Sequence, residues 1–241
     1  MDIWQESVTV RFGDVDRSDR LTVAAASGYF QEAAIDHAQD LGVGRDALLE
    51  THQGWILSRF SVVMDIRPLS RSKIIVRTWP CGSRGPFAMR DYDIRDAENR
   101  ILARGRSAWI IIDVEKRAAL RPEPVLSRMP GNESMDSPLP DGAQGIKFHE
   151  PLTLAGTRQA AYSDIDYYGH MNNVRYIQWI ADSTDPAVLE QAEPVRVDIN
   201  YINEIKAGEH IELWMNKLPE NRILYEGRRE EQVLFRAEIH C

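Results

Sequence analysis

Residues 163–179 read SDIDYYGHMNNVRYIQW. Two carboxylates, a glycine and a histidine precede a run in which apolar residues recur every three or four positions, the period of an amphipathic helix. The polar part is a turn and the apolar part a helix over about Met171–Ser183, with Asn172 and Asn173 where a cap or first-turn residue belongs. Upstream, Leu152–Tyr162 reads as a strand. Downstream, alternating segments predict strands at about Val195–Ile202, His210–Lys217, Ile223–Arg229 and Gln232–His240.

The same order occurs earlier in the chain. Ser7–Phe12 alternates, residues 13–22 (GDVDRSDRLT) turn, and Val23–Leu41 carries a helical pattern in which Tyr29, Ala33, Ala34, His37 and Leu41 share one face. Strands are expected at about Trp55–Ile66, Lys73–Trp79, Phe87–Arg95 and Arg100–Asp113. GDVD at 13–16 parallels SDID at 163–166, and RFSVVMDIRPLSRSKIIV at 59–76 parallels RVDINYINEIKAGEHIEL at 196–213. The two halves therefore read as a duplication. A proline-rich stretch between them can hold neither a long helix nor a central strand. The expected organisation is a first unit over 1–115, a linker over 116–149 wrapping along the surface, and a second unit over 150–241. One long helix followed by antiparallel strands, twice, is the outline of an α+β double hotdog, in which each sheet curls round a helix and leaves an apolar tunnel between them.

Composition narrows the function. The chain has 241 residues, 43% hydrophobic and 27% charged, with a formal net charge of -8, which argues against a nucleic-acid partner. Local basic clusters, Arg67, Arg71 and Lys73 and, further on, Arg84, Arg90, Arg100, Arg104 and Arg106, leave an acidic protein partner open. No stretch reaches the roughly 20 apolar residues of a membrane span. The opening MDIWQESVTVRFGD lacks the features of a secretory signal, so a cytoplasmic location is expected. Cys81 and Cys241 suggest neither a disulfide framework nor a metal cluster. His52, His149, His210 and His240 show no metal-ligand spacing, and no phosphate-binding glycine loop is present. No metal and no cofactor is expected.

Asp166 and His170 stand four apart across Gly169, at the open N-terminus of a helix. Acids and asparagines before helices are ordinarily caps, and a lone histidine is ordinarily structural. Together they form a set suited to acyl transfer: a base for water or a carboxylate nucleophile, an imidazole, and helix N–H groups for an oxyanion. His37, mid-helix on the apolar side, reads as a core residue.

The stretch DIDYYGHMNNVRYIQW resembles the signature of the acyl-acyl carrier protein thioesterases, plant-type and bacterial, whose turn reads Asp-x-Asn-x-His followed by Val-Asn-Asn-x-x-Tyr. The resemblance extends through GYFQEAAIDH (28–37), WILSRFSVV (55–63) and SAWIII (107–112), over nearly the whole chain. It implies hydrolysis of fatty acyl thioesters on a carrier protein in fatty acid biosynthesis, without a cofactor. It places catalytic roles on Asp166 and His170, and on Glu204 within YINEI. Two positions depart from the pattern. The family's Asn between the acid and the histidine is Tyr168 here, so its hydrogen bond must come from Tyr168, Asn172 or water, with Asn173 a further supporting residue. Where plant members carry a Cys after the Glu, this chain has Ile205, which excludes a cysteine nucleophile there.

Either carboxylate can be the base, through water assisted by His170, and attack by Asp166 through an anhydride stays open. The first-half turn has Arg20 in the histidine's place, which implies one site per chain. Tyr29, Phe30, Ala33, Trp55, Leu57 and Phe60 are candidates for the acyl pocket, although aromatic residues at such spacing are more often plain core. An acyl-CoA thioesterase and a non-catalytic acyl-binding module are the alternatives. Chain-length preference is not legible, and a homodimer stays open.

Overall fold

The computed structural model describes residues 3–147 and 149–241. Each half lays one long helix against a curled antiparallel sheet. The first contains β1 (Trp4–Thr9), α1 (Val23–Asp40), a short α2 (Arg45–Leu49), β2 (Gln53–Met64), β3 (Lys73–Arg84), β4 (Phe87–Arg95), β5 (Ile101–Asp113) and β6 (Ala118–Leu120). The connecting stretch adds one turn of helix, α3 (Glu123–Leu126). The second half contains β7 (Thr153–Gln159), α4 (Asn173–Asp182), α5 (Pro186–Gln191), β8 (Val195–Tyr201), β9 (His210–Leu218), β10 (Arg222–Arg229) and β11 (Gln232–His240).

The strand order is β1-β3-β4-β5-β2-β8-β11-β10-β9-β7, with β6 beside β5. Read from either end inward, the two halves match strand for strand. They meet where β2 pairs antiparallel with β8, from Arg59 opposite Asn200 to Met64 opposite Val195. The chain is an α+β double hotdog. Alternation sends Phe60, Val62 and Met64 of β2 and Val195, Val197 and Ile199 of β8 inward, where they join Phe30, Ala33, Tyr176, Ile177 and Ile180 of the two helices in one core. Burial of this surface, at about 25 cal/mol per Å2, is the main force holding helix to sheet.

The connecting stretch is strapped to the outer face at the junction of the halves. Ser61 on β2 accepts the N–H of Ala143 at 2.7 Å, and Asn200 on β8 accepts that of Ile146 at 2.7 Å. Its own Val125, Leu139 and Ala143 are buried, so while it wraps along the surface it also contributes to the core.

Several local expectations shift. The first strand ends at Thr9 and Phe12–Asp14 forms a 3-10 turn. The helix expected from Met171 begins at Asn173, because Asn172 caps it by accepting the N–H of Val174 at 2.9 Å. β3 runs on past Trp79, the expected end of the strand, through Pro80 and Cys81, because a bulge between Pro80 and Ser83 absorbs the residues that cannot pair and Gly82 takes a φ of 80°. The basic clusters are largely committed within the fold: Arg67 pairs with Asp16, Arg100 with Asp96, Arg104 with Asp65 and Arg106 with Asp91, while Arg90 is buried against His37 and Thr78. Arg71, Lys73 and Arg84 are the exposed members outside these pairs. Among the described residues no helix is long and apolar enough to cross a membrane.

Candidate active site

The turn before α4 is built by backbone hydrogen bonds. Asp166 donates its N–H to the carbonyl of His170 at 2.9 Å, Gly169 donates to that of Asp166 at 3.0 Å, and Asn172 donates to that of Asp164 at 2.9 Å. Gly169 has a φ of 81°, the left-handed region that a glycine enters without steric cost. Met171 then donates its N–H to the carbonyl of Ile205 at 2.8 Å, stitching the turn to the segment after β8. That one bond explains why Glu204, 34 positions from His170, arrives beside it.

His170 Nε2 lies 3.1 Å from Glu204 Oε2, with the two side chains 35% and 56% exposed, so the pair faces solvent at the end of α4. Asp166 is half-buried, and its Oδ1 accepts the N–H of Tyr168 at 2.9 Å. Among the described residues no hydrogen bond joins its carboxylate to the His170 ring. The carboxylates at 166 and 204 both act on Tyr176. Burial pushes the phenol of Tyr176 well up, and the charges of Glu204, Glu209 and Asp166 push it further, against the opposing N–H of Ile205. Tyr176 therefore stays neutral among these acids. Its ring is held edge-on by Tyr201 and Phe235, with centroids 5.2 and 5.3 Å away. Tyr176 belongs to the motif quoted above, but sequence reasoning assigned it no role; its place three positions after Asn173 was the available signal.

The supporting residues divide. Asn172 spends its side-chain oxygen on the helix cap. Asn173 is the first residue of α4 and lines a slot between the helices and the sheet, and its carbonyl accepts the hydroxyl of Tyr201 at 3.1 Å. Tyr168 turns outward: it is 52% exposed, its ring centroid is 4.4 Å from that of Tyr167, and Arg45 of α2 lies over both rings at 5.1 and 5.3 Å. The aromatic pair and the arginine thus rim the turn.

The slot runs inward from Asn173 and Val174 between α1 and α4. Of the six residues expected to form an acyl pocket, Phe30, Leu57 and Phe60 line it. The other three are not among its walls. Tyr29 donates its hydroxyl to Asp14 at 2.6 Å, Ala33 is fully buried in the core, and Trp55 donates its indole N–H to the carbonyl of Val43 in a separate cluster. The slot encloses only about 20 Å3, room for roughly one water. Among the described residues there is no cluster of three or more His, Cys, Asp or Glu side chains that could hold a metal ion.

Comparison with known proteins follows the same outline. Twenty-three per cent of residues are identical to those of an acyl-ACP thioesterase of Bacteroides thetaiotaomicron whose crystal structure superposes with a TM-score of 0.85, covering 99% of this chain and 97% of that one. A putative oleoyl thioesterase of Lactobacillus plantarum is 22% identical with a TM-score of 0.87, covering 99% and 95%. Among curated relatives, a chloroplastic palmitoyl-acyl carrier protein thioesterase of Cuphea hookeriana is 24% identical over 84% of this chain and 52% of its own, so the chain spans about half the length of that relative. Residues 1–126 match the acyl-ACP thioesterase N-terminal domain and residues 156–240 the acyl-ACP thioesterase C-terminal domain, and the chain belongs to the acyl-ACP thioesterase family.

Proposed function

We propose that this chain hydrolyses the thioester of fatty acyl groups carried on acyl carrier protein, releasing free fatty acid. The observation that supports the reading is the pairing of His170 with Glu204, in the turn that carries Asp166 and leads into α4, whose first residues Asn173 and Val174 line the slot.

The chemistry follows from the parts. Glu204, 3.1 Å from His170 and open to solvent, takes the proton of a water that attacks the thioester carbonyl, and returns it to the departing carrier thiol as the tetrahedral adduct collapses and the C–S bond breaks. His170 orients that water or the carbonyl from the same side. The oxyanion that forms meets the N-terminus of α4, where the first-turn N–H groups have no intrahelical acceptor and the helix dipole is positive. The amide nitrogen of Asn172 is a further donor there, since only its oxygen is committed to the cap. With Tyr168 turned away, Asn172 or a water supplies the hydrogen bond that the family draws from its asparagine. Asp166, anchored by the Tyr168 N–H, polarises the turn from the other side; direct attack by Asp166 is the competing route, and isotope incorporation from labelled water into the carboxylate in single turnover distinguishes them.

The slot holds about one water as it stands, so admission of an acyl chain requires Trp109 and neighbouring side chains to part. The exposed cations Arg45, Arg175 and Lys206 flank the turn and suit an acidic carrier. The deciding experiment compares fatty acid release from one acyl chain presented on acyl carrier protein and on CoA. Faster turnover on the carrier protein, weakening as salt is raised, is the expected result. A preference for CoA that salt does not alter counts against the carrier, and no hydrolysis of either would sink the reading.

A further inference from the structure

The inner end of the slot is polar, and one of its hydroxyl hydrogens is left without an acceptor among the described residues. Tyr92 on β4 and Ser107 on β5 both line it, and both are buried, 2% and 1% exposed. Their hydroxyl oxygens are 2.8 Å apart, and Trp109, two residues along β5, donates its indole N–H to Ser107 Oγ at 2.6 Å. Only one of the two O–H groups can lie in the Tyr92–Ser107 bond. Whichever donates, the other has no acceptor among the described residues. Ser27 on the facing side of the slot is already a donor to the carbonyl of Val23 at 2.8 Å. Of the other lining residues, Phe30, Leu57, Phe60, Val174 and Ile177 are apolar; among the described residues Tyr201 donates to the carbonyl of Asn173, and no bond joins Gln31 or Asn173 to the hydroxyl pair.

A buried hydroxyl hydrogen without an acceptor is destabilising, and folded proteins seldom leave one so. The small void beside it is large enough for one water, which would satisfy it while the slot is empty. A plain hydrocarbon chain entering the slot expels that water and offers nothing in return. A chain carrying an oxygen at that depth restores the bond. Sites with a buried polar group discriminate in this direction, rejecting the analogue that lacks the partner.

We propose that the Tyr92–Ser107 hydroxyl pair selects oxygenated acyl chains, those bearing a hydroxyl or oxo oxygen along the chain, over plain saturated chains of equal length. The inference rests on the acyl-thioester hydrolase reading above and adds a substrate class to it. Burial pushes the Tyr92 phenol up, so the donor stays protonated at any pH at which the enzyme works.

The test is a panel of acyl carrier protein thioesters of one chain length, unsubstituted or carrying a single hydroxyl or oxo group at successive carbons. One position should be hydrolysed with a kcat/KM about tenfold above the unsubstituted chain, the equivalent of one hydrogen bond to a buried donor. Tyr92→Phe and Ser107→Ala each leave one hydroxyl and should retain part of that ratio. The double variant should bring it to parity, and the ratio is read independently of any change in absolute rate. A flat profile across the panel in the unaltered protein overturns the inference while leaving the hydrolase reading intact; this arm needs no variant to fold. A ratio that survives in a folded double variant also overturns it. Failure to hydrolyse any thioester in the panel removes both.

Discussion

The turn at residues 14–22 and the turn at residues 164–172 share one backbone and differ in what occupies it. Asp16 donates to the carbonyl of Arg20 at 2.9 Å as Asp166 does to that of His170, and Thr22 donates to Asp14 at 3.0 Å as Asn172 does to Asp164 at 2.9 Å. Leu21 is stitched to Pro68 as Met171 is to Ile205. Position for position, Arg67 is the counterpart of Glu204. The Arg67 guanidinium is buried, pairs with Asp16 and also donates to the carbonyls of Leu21 and Leu189. The segment through α5 closes over this first turn, with Arg17 bound to Glu190 and Arg20 to Glu193. At the second turn the corresponding cover is α2, which offers only Arg45 above two tyrosine rings. One cradle thus serves two ends. A cation in the Glu204 position consumes the carboxylate and seals the turn, and a carboxylate in that position leaves both acids accessible.

This contrast is most sharply broken by Glu204→Gln and His170→Ala, each expected to lower kcat by about a thousandfold with unfolding unchanged, the scale of losing acid–base chemistry. Turnover within a factor of two of the parent enzyme would show that the second turn is as inert as the first. Asp166→Asn, which removes a charge that supports the turn, should cost about a hundredfold. Glu204→Gln combined with His170→Ala should lose little more than either alone, because residues acting as a unit are not additive; fully additive losses would separate the pair.

The first turn should respond in stability instead. Arg67→Met leaves Asp16 unpaired in a largely buried place and should destabilise the fold by about 3 kcal/mol, read in denaturant unfolding. Burial raises the Asp16 carboxyl, but the Arg20 N–H and the Arg67 guanidinium outweigh it and hold the group below the usual carboxylate range. Its stabilisation is therefore complete above that range and lost as pH falls through the depressed value. Arg67→Met should show the smaller loss of stability on acidification, and an equal loss in both proteins would refute the assignment. The mildest comparison is between the caps: Thr22→Ala and Asn172→Ala should each cost about 1 kcal/mol, with only Asn172→Ala also slowing turnover.

The duplication, the long helices and the turn between Asp166 and His170 were legible because they rest on local patterns: apolar spacing, capping residues and the paired GDVD and SDID sequences. The contact between His170 and Glu204 was available only through family resemblance, since it is made by a long-range backbone bond from Met171 to Ile205. Arg67 read as part of a surface cluster because the sequence does not show that Asp16, 51 residues away, folds onto it. Tyr29 and Trp55 read as pocket walls because helical and alternating spacing identify a buried face without saying which partner a polar tip will find; theirs are Asp14 and the Val43 carbonyl. The narrowness of the slot depends on how the rings of Phe30, Phe60 and Tyr92 pack against one another from α1, β2 and β4, which periodicity does not encode.

The pairing of β2 with β8 has a further consequence. Two identical hotdogs docked along such an edge would be bound by their two-fold axis, so that any substitution improving one copy's chemistry would appear in the other copy as well. Joining the copies covalently releases that constraint. Each half can then be tuned alone, and a residue that would ruin catalysis, such as an arginine among the acids, becomes a means of fastening one half firmly while the other keeps its reactive groups exposed.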